Sequence, residues 1–521
     1  MSKKGTEAKS VKREVWSSEL GVILAVAGSA VGLGNFLRFP VQAANNGGGA
    51  FMIPYFISLL LLGIPLMWIE WAIGRHGGAF GHGTAPGAFD VLSKHRWIKY
   101  LGVIGILGPL IIFIYYTYIE SWLVGYIFFS MTGKYFGLTS AAQLSGFLNG
   151  YQGVVKNEYF SSIAPAYIFF VATFMANMYV IKKGISGGIE KLSTYGMPLL
   201  VIIGFVLMVR VLFLGAPDSA HPDWNIWNGL GFLWNPDFSQ LLSAKVWMAA
   251  AGQIFFTLSV GIGVIITYAS YLKKKDDIAL SGLTSVSANE FCEVIFGGSI
   301  VIPAAFAFFG PIAILGIAQS GTFNLGFVTM PMIFEKIPFG MVFATIWFLL
   351  LFIAGITSSV SLIQPVMSFV EDEFKQTREK ALRIVSVVSF VLCQPAIFFL
   401  SRGVLDDLDF WGGTFCLVLF ATIETILFMW VFGEKKAWEE IHHGAQLYVP
   451  KVYLYIMKYI TPLFLLLLWY FWLTQEGLNT VLMKNVKPEN IFYILGTRIG
   501  LLVLLLALVI LVKIAWERKK K

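Results

Sequence analysis

The chain has 521 residues, of which 57% are hydrophobic and 13% charged, and its formal net charge is +8. Soluble globular proteins carry about a quarter charged residues, and their cores do not need the runs of about twenty apolar residues that recur here. These features disfavour a large soluble helical enzyme. A transmembrane β-barrel is disfavoured too, because its short segments of alternating hydrophobicity are absent.

The apolar runs predict about twelve transmembrane helices, since each run can cross a hydrocarbon core of about 30 Å. A helix is the expected form because it satisfies every backbone N–H and C=O within the segment. In chain order the predicted spans are 17–43, 49–76, 98–130, 164–183, 190–214, 245–271, 280–310, 341–372, 378–399, 408–432, 451–474 and 488–516.

The polar connections differ in length and character. Residues 1–16 are charged and lack the apolar stretch and cleavage site of a secretory signal. The connections near 131–163 and 215–244 are long and are predicted to lie outside the cell. Residues 311–340 are rich in Gly and Pro, and we predict a re-entrant or lid-like external segment there.

Basic residues cluster in the connections that follow even-numbered spans. They are Arg75, Lys94, Arg96, Lys99, Lys182, Lys183, Lys191, Lys273, Lys274, Lys275, Lys375, Arg378, Lys380, Arg383, Lys435, Lys436 and Lys451. The positive-inside rule then places both termini in the cytoplasm, as in a multi-pass protein of the cell inner (plasma) membrane. The basic charge is therefore a topology signal, and we predict no nucleic-acid partner.

An internal repeat relates the first span to the sixth. The first contains AVGLG at Ala30–Gly34, and the sixth contains SVGIG at Ser259–Gly263. Because the motifs are five spans apart, two five-helix units would insert with opposite orientation, as in many secondary transporters. Small residues also allow close helix packing, so either motif alone is ambiguous. The pair favours an interruption of both helices.

This repeat gives the predicted domain organisation. It comprises a cytoplasmic N-terminal segment (1–16), a first five-helix repeat (17–214), an extracellular loop (215–244), a second five-helix repeat (245–432), and helices 11 and 12 with a basic cytoplasmic tail (433–521).

An unwound helix in mid-membrane exposes carbonyls that can coordinate Na⁺ and a half-helix N-terminus that attracts a carboxylate. Neutral oxygen ligands suit a hard monovalent cation. Candidates near the breaks and on neighbouring spans are Asn35, Thr257, Ser259, Asn289, Thr357, Ser358 and Ser359. Helical Ser and Thr also bond back to their own helix, which remains the alternative for each of them.

Ionisable residues within membrane spans are candidates for function. They are Arg38, Glu70, Glu120, Glu293, Asp409 and Glu424. Arg38 and Asp409 fall at the predicted outer ends of their spans and could pair across an access path. Arg13 and Asp372 fall at the inner ends, where snorkelling to water is the alternative.

Several segments resemble the neurotransmitter:sodium symporter family, and most closely its bacterial leucine-transporter branch. They are GSAVGLGNFLRFP (Gly28–Pro40), GGGAFMIPY (Gly47–Tyr55), GIPLMWIEWAIGR (Gly63–Arg75), IYYTYIESW (Ile114–Trp122), GQIFFTLSVGIG (Gly252–Gly263), AGITSSVSLIQP (Ala354–Pro365) and LDDLDFWGGT (Leu405–Thr414). The resemblance extends over essentially the whole chain.

The resemblance implies two Na⁺ sites, an amino-acid site and two gates. The first Na⁺ site comprises Ala30, Asn35, Thr257 and Asn289; the second comprises Gly28, Val31, Ala354, Thr357 and Ser358. The implied substrate site comprises Ala30, Leu33, Gly34, Ile112, Tyr116, Phe256, Thr257, Ser259, Ile262, Ser358 and Leu362. The outer gate comprises Arg38 and Asp409, and the inner gate Arg13, Asp372, Ser270 and Tyr271.

Glu293 departs from the chloride-dependent members of the resembled family. Those members bind the anion beside residues that match Tyr55, Gln253 and Thr257 and carry a small hydroxyl residue at the position of Glu293. A fixed carboxylate there would replace chloride and could exchange a proton. We therefore predict transport without chloride.

The predicted function is sodium-coupled symport of a small apolar, leucine-like amino acid by alternating access. The expected partners are the amino acid, two Na⁺ ions and the lipid bilayer, and a homodimer is left open. A channel or ligand sensor on the same scaffold is the alternative, although paired gates favour alternation. We do not expect an enzyme, because the sequence shows no nucleophile–base pair, His cluster or phosphate-binding loop.

Overall fold

The computed structural model describes residues 14–319 and 321–519, so Arg13 of the predicted inner gate lies outside the described residues. Ten helices within this part of the chain are long and apolar enough to cross a membrane. They are α2 (Gly49–Ala79), α3 (Ile98–Thr132), α4 (Ala164–Lys182), α5 (Ile185–Leu212), α7 (Ile278–Ile314), α8 (Gly340–Glu373), α9 (Arg378–Phe398), α10 (Val404–His442), α11 (Val452–Gln475) and α12 (Pro488–Lys519).

Two further spans are interrupted helices. The first consists of α1a (Glu19–Ala30) and α1b (Gly34–Asn45), which are bent by 45° relative to each other. The second consists of α6a (Ala244–Thr257) and α6b (Val264–Ala269). The prediction of an all-α membrane protein with about twelve spans is confirmed. The repeat of α1–α5 in α6–α10 is also confirmed, and each unit begins with an interrupted helix.

The first break begins where the backbone leaves helical geometry at Val31 (φ −71°, ψ 92°). The Val31 N–H still donates to the carbonyl of Ala27 at 2.7 Å, which completes the last turn of α1a. The chain becomes helical again at Gly34. Backbone polar groups of two half-helix ends therefore face the interior of the protein at mid-span.

The second break requires left-handed backbone at three positions, Ser259 (φ 53°), Gly261 (φ 77°) and Gly263 (φ 75°). Positive φ favours glycine. A Cβ at Gly261 would lie 2.5 Å from the carbonyl oxygen of Leu417, and one at Gly263 would lie 2.5 Å from that of Gly105. The two glycines of the SVGIG motif thus allow the unwound segment to pack directly on α10 and α3.

Burial separates a central group of helices from a peripheral one. In the most apolar stretch of α3 and of α8, 83% of the residues are buried inside the protein, against 17% for α12. The central helices therefore surround the breaks, while α12 presents apolar side chains to lipid.

Short helices occupy the connections. They are Ala85–Leu92, Ala141–Tyr151, Ile226–Trp234 and Met330–Glu335. The segment 311–340 is helical in part, and α7 is kinked at Gly310 (φ 74°) where it enters that segment.

Candidate functional site

A small cavity of about 50 Å³ lies between the two breaks. All eleven residues of the implied substrate site line it: Ala30, Leu33, Gly34, Ile112, Tyr116, Phe256, Thr257, Ser259, Ile262, Ser358 and Leu362. Ser29, Gly32, Asn35 and Leu417 complete the wall. The structure thus gathers residues from α1, α3, α6, α8 and α10 around one enclosed space.

The cavity is polar at the helix ends and apolar on the opposite wall. The backbone N–H of Leu33 points to the hydroxyl of Tyr116 at 3.3 Å. The N-terminus of α1b carries a partial positive charge, and the C-terminus of α6a carries a partial negative one. Ile112 and Ile262 are buried apolar side chains of the wall. This arrangement can orient a zwitterion that has an apolar side chain.

Oxygen atoms converge where α1, α6 and α7 meet. The side-chain oxygen of Asn289 accepts from Nδ2 of Asn35 at 2.9 Å. The same side-chain amide lies 3.2 Å from the carbonyl oxygens of Ala30 and Thr257, which its NH₂ group reaches when the amide is turned over. All four residues of the first implied Na⁺ site therefore meet here.

A second group of oxygens joins α1a to α8. The Ser358 hydroxyl lies 3.4 Å from the carbonyl oxygen of Gly28 and 3.0 Å from that of Ala354. The Thr357 hydroxyl lies 3.2 Å from the Ala354 carbonyl oxygen. Val31 lies at the start of the first break. The residues of the second implied Na⁺ site thus belong to two neighbouring helices that one cation could bridge.

Phe256 covers the cavity on the side that we call the vestibule side. A Cβ at Gly34 would lie 2.6 Å from its ring, so ring and backbone are in tight contact. Above it is a second cavity of about 150 Å³, which Arg38 and Asp409 both line. The Arg38 guanidinium stacks over the Phe256 ring at 4.3 Å, and the Tyr115 hydroxyl donates to Asp409 at 2.6 Å. The two residues of the outer gate therefore face the same space, each with a contact of its own.

The opposite side, which carries both ends of the described chain, is called the terminal side. Nε1 of Trp16 donates to the carbonyl of Tyr268 at 2.9 Å, and the two rings pack edge to face. The hydroxyls of Tyr271 and Ser368 are 2.7 Å apart and buried. Asp372 lies near the end of α8 and Ser270 directly after α6b. These contacts close the path from the cavity to the terminal side.

Glu293 lies in a buried polar cluster beside the first group of oxygens. The Thr257 hydroxyl donates to it, and Gln253 Nε2 donates to it at 2.8 Å. The Tyr55 hydroxyl donates at 2.7 Å to Glu290, one turn earlier on α7. Glu290 and Glu293 therefore both lie in this polar cluster, for which sequence analysis had predicted Glu293 alone.

Three residues near the site were not singled out from the sequence: Glu290, Leu417 and Trp16. Glu290 follows Asn289 directly, and its place within a predicted span was an available signal. Leu417 and Trp16 are apolar residues in apolar surroundings, and only the packing of α10 and α1 brings them to the site.

Comparison with known proteins gives concordant matches. A model of the sodium:neurotransmitter symporter family matches residues 13–139 and 157–518. An uncharacterised sodium-dependent transporter of Methanocaldococcus jannaschii is 33% identical over 472 residues, covering 87% of this chain and 89% of the relative.

Sodium-dependent nutrient amino acid transporter 1 of Drosophila melanogaster is 26% identical over 553 residues, covering 94% of this chain and 81% of the relative. The crystal structure of MhsT in complex with L-phenylalanine matches with a TM-score of 0.75 at 29% identity, covering 88% of this chain and 99% of MhsT.

Proposed function

The chain belongs to the sodium:neurotransmitter symporter family, and from that premise we propose that it couples the uptake of a small apolar, leucine-like amino acid to two Na⁺ ions. The observation that carries this proposal is the position of the cavity between two interrupted helices, with a group of oxygens on each flank. The complex of MhsT with L-phenylalanine supports an amino acid as substrate.

The amino acid fits the cavity in one orientation. Its carboxylate lies at the N-terminus of α1b, near the N–H groups of Leu33 and Gly34 and the Tyr116 hydroxyl. Its ammonium group meets the carbonyl end of α6a and the Ser259 hydroxyl. Its side chain contacts Ile262 and the rest of the apolar wall. This apolar wall disfavours polar side chains, because it offers them no hydrogen-bond partners.

Coupling follows from the two groups of oxygens. Na⁺ in the first site lies beside the substrate carboxylate, and each favours binding of the other by Coulomb attraction. Na⁺ in the second site bridges α1a and α8 and stabilises the arrangement that is closed on the terminal side. A ligand with different affinities for two states shifts the population between them. The two gates then open in alternation.

Glu293 takes the place of chloride in this proposal. Its carboxylate accepts hydrogen bonds from Gln253 and Thr257 and supplies a fixed negative charge beside the first Na⁺ site. Replacement of chloride by gluconate should therefore leave uptake unchanged. A chloride requirement at neutral pH would contradict this assignment.

The orientation follows the charge pattern. The terminal side is cytoplasmic, the vestibule side is external, and the protein is a multi-pass component of the inner (plasma) membrane. The two repeats (17–214 and 245–432) form the transport unit. The segments 1–16 and 433–521 add the cytoplasmic N-terminus and the last two spans with the basic tail.

Uptake into proteoliposomes tests the proposal. The full chain should concentrate radiolabelled leucine only under an inward Na⁺ gradient, and competition by the twenty amino acids would rank the substrates. A channel or sensor would bind without concentrating. We expect Asn289→Ala to weaken Na⁺-dependent binding at least about tenfold, because it removes a buried oxygen ligand. Ser287→Ala, which alters a hydroxyl bonded back to the same helix, is the matched control.

A further inference from the structure

Two fully buried carboxyl groups belong to neither group of oxygens, and one of them binds the second break directly. Glu70 belongs to α2 and Glu424 to α10, and both are 0% exposed. Their side chains face each other within hydrogen-bond reach. A second carboxyl group is the wrong partner for an ionised one, because like charges in a nonpolar interior repel.

The hydrogen-bond donors around this pair are too few. One oxygen of Glu70 accepts from the backbone N–H of Gly261 at 2.5 Å. Among residues 14–319 and 321–519, no N–H or O–H serves the other Glu70 oxygen or either oxygen of Glu424. An orphaned buried carboxylate oxygen is costly. A proton held between the two groups supplies the missing donor and removes one of the two charges.

Glu120 on α3 shows what a satisfied buried glutamate looks like in this protein. It is also 0% exposed, but Nδ2 of Asn177 donates to both of its oxygens, at 3.3 and 3.0 Å. Among the glutamates of the described residues that are 0% exposed, only Glu70 and Glu424 have carboxyl oxygens without a donor.

Within the described part of the chain, no Lys, Arg or His forms an ion pair with either carboxyl group of the pair. Arg75 and His76 on α2 bind Glu440 instead, at 3.0 and 3.5 Å. The other titratable groups on the elements packed against α2 and α10 are directed elsewhere. They include Asp90, whose oxygens meet Lys99 and Trp516; Tyr268, which packs on Trp16; Glu290, which binds Tyr55; and Lys458, which pairs with Glu434.

The pair also holds the unwound segment. Gly261 is the middle residue of the second break, and its backbone N–H donates to Glu70. Glu70 therefore ties the break to α2. If both carboxyl groups were ionised, their repulsion would move α2 away from α10. This movement would strain the hydrogen bond between Glu70 and Gly261.

We propose that Glu70 and Glu424 form a proton-binding site that fixes the second break. The bound proton sits between the two carboxyl oxygens. When water reaches the site, the O–H bond breaks, the proton passes to water and the electron pair stays on the carboxylate. Rebinding reverses the step. The site is distinct from the Glu293 cluster and is not a ligand set for either Na⁺.

Infrared difference spectroscopy of the purified full chain in lipid tests for the proton directly. The carbonyl stretch of a protonated carboxyl group should be present, should shift in D₂O and should disappear in Glu424→Gln. The glutamine amide can donate to Glu70 in place of the proton, so this variant is expected to fold. Thr425→Val, a buried neighbour on α10 that cannot ionise, should keep the band.

Binding of labelled amino acid at saturating Na⁺ tests the link to conformation, and this second measurement rests on the proposed function. Affinity in the wild type should fall by up to about tenfold per pH unit as the proton is lost, and Glu424→Gln should remove that dependence. The proposed proton site is wrong if the carbonyl band is unchanged in Glu424→Gln. It is also wrong if the spectrum responds to Na⁺ or K⁺ but not to pH. A proton band without any amino-acid binding would instead refute the proposed function and leave the site intact.

Discussion

The two sides of the central cavity are built differently. On the terminal side, Trp16, Tyr268 and Tyr271 are buried and join α1a, α6b and α8 through direct hydrogen bonds and ring packing. On the vestibule side, Arg38 and Asp409 are half-buried and line a cavity of about 150 Å³. One side is packed like a protein core, while the other is covered mainly by the ring of Phe256.

This difference indicates which state the structure represents. Buried contacts must be broken to open the terminal side, whereas movement of one ring and a few polar contacts suffices on the vestibule side. The structure therefore corresponds to a state that is closed on the terminal side and covered mainly by the Phe256 ring on the vestibule side. Mutations on the terminal side should accordingly have larger effects on the conformational equilibrium.

The largest effect is expected for Trp16→Ala. Loss of a buried Trp typically costs about 3–5 kcal/mol, which would shift the equilibrium toward terminal-side opening more than a hundredfold. A cysteine introduced at Ala269, which is buried in α6b, should then react much faster with a thiol reagent. The native cysteines are all buried, and the parent chain gives their background rate.

Trp16→Phe is the control for this experiment. It keeps an aromatic ring against Tyr268 and removes only the N–H bond, so its effect should stay near about 1 kcal/mol. Equal labelling rates in Trp16→Ala and in its parent would show that Trp16 does not close this side.

From the sequence alone, the residues that line the cavity were predicted better than the contacts that close its two sides. The AVGLG and SVGIG motifs locate the breaks, because an unwound helix needs glycine at Gly261 and Gly263. Once both breaks are located and the family is recognised, the residues that line the cavity can be predicted from their positions in the matching motifs. The eleven residues of the implied substrate site line one space, although their roles in binding remain predictions.

The partners of individual polar groups could not be predicted in this way. The sequence indicated that Arg38 and Asp409 could pair, but it gave no sign that Arg38 would stack on the Phe256 ring or that Asp409 would accept from Tyr115. Tyr55 was expected in the polar cluster of Glu293, and its hydroxyl donates there to Glu290, which was not singled out. Such choices depend on differences of about 1 kcal/mol between alternative hydrogen bonds, and a pattern of residue types does not encode them.

The second prediction concerns the lid. Gly34→Ala places a Cβ 2.6 Å from the Phe256 ring, which must move to relieve the overlap. Overpacking costs about 1–3 kcal/mol, so amino-acid affinity should fall about 5- to 150-fold in equilibrium binding. Gly252→Ala on α6a has open space around the new Cβ and is the matched control. Similar losses in both variants would mean that the lid contact is unimportant.

The third prediction concerns Tyr115. Tyr115→Phe removes the donor to Asp409, a bond worth about 1.5 kcal/mol to a charged acceptor, and frees that carboxylate to pair with Arg38. Closure of the vestibule should then slow amino-acid association about tenfold in stopped-flow binding. Tyr118→Phe, whose hydroxyl donates to the Gln152 carbonyl elsewhere on α3, is the control. Faster association in Tyr115→Phe would reverse the role assigned to this bond.

The smallest effect is expected for Arg38→Lys. Lysine keeps the positive charge over the Phe256 ring but lacks the flat guanidinium that stacks at 4.3 Å. The loss should be about 0.5–1 kcal/mol, or roughly two- to fivefold faster amino-acid dissociation in a chase experiment. Arg402→Lys, which removes a similar stack on Tyr493 far from the cavity, should leave dissociation unchanged. An effect of Arg38→Lys as large as that of Trp16→Ala would show that the vestibule side is also held by strong contacts, and the contrast between the two sides would fail.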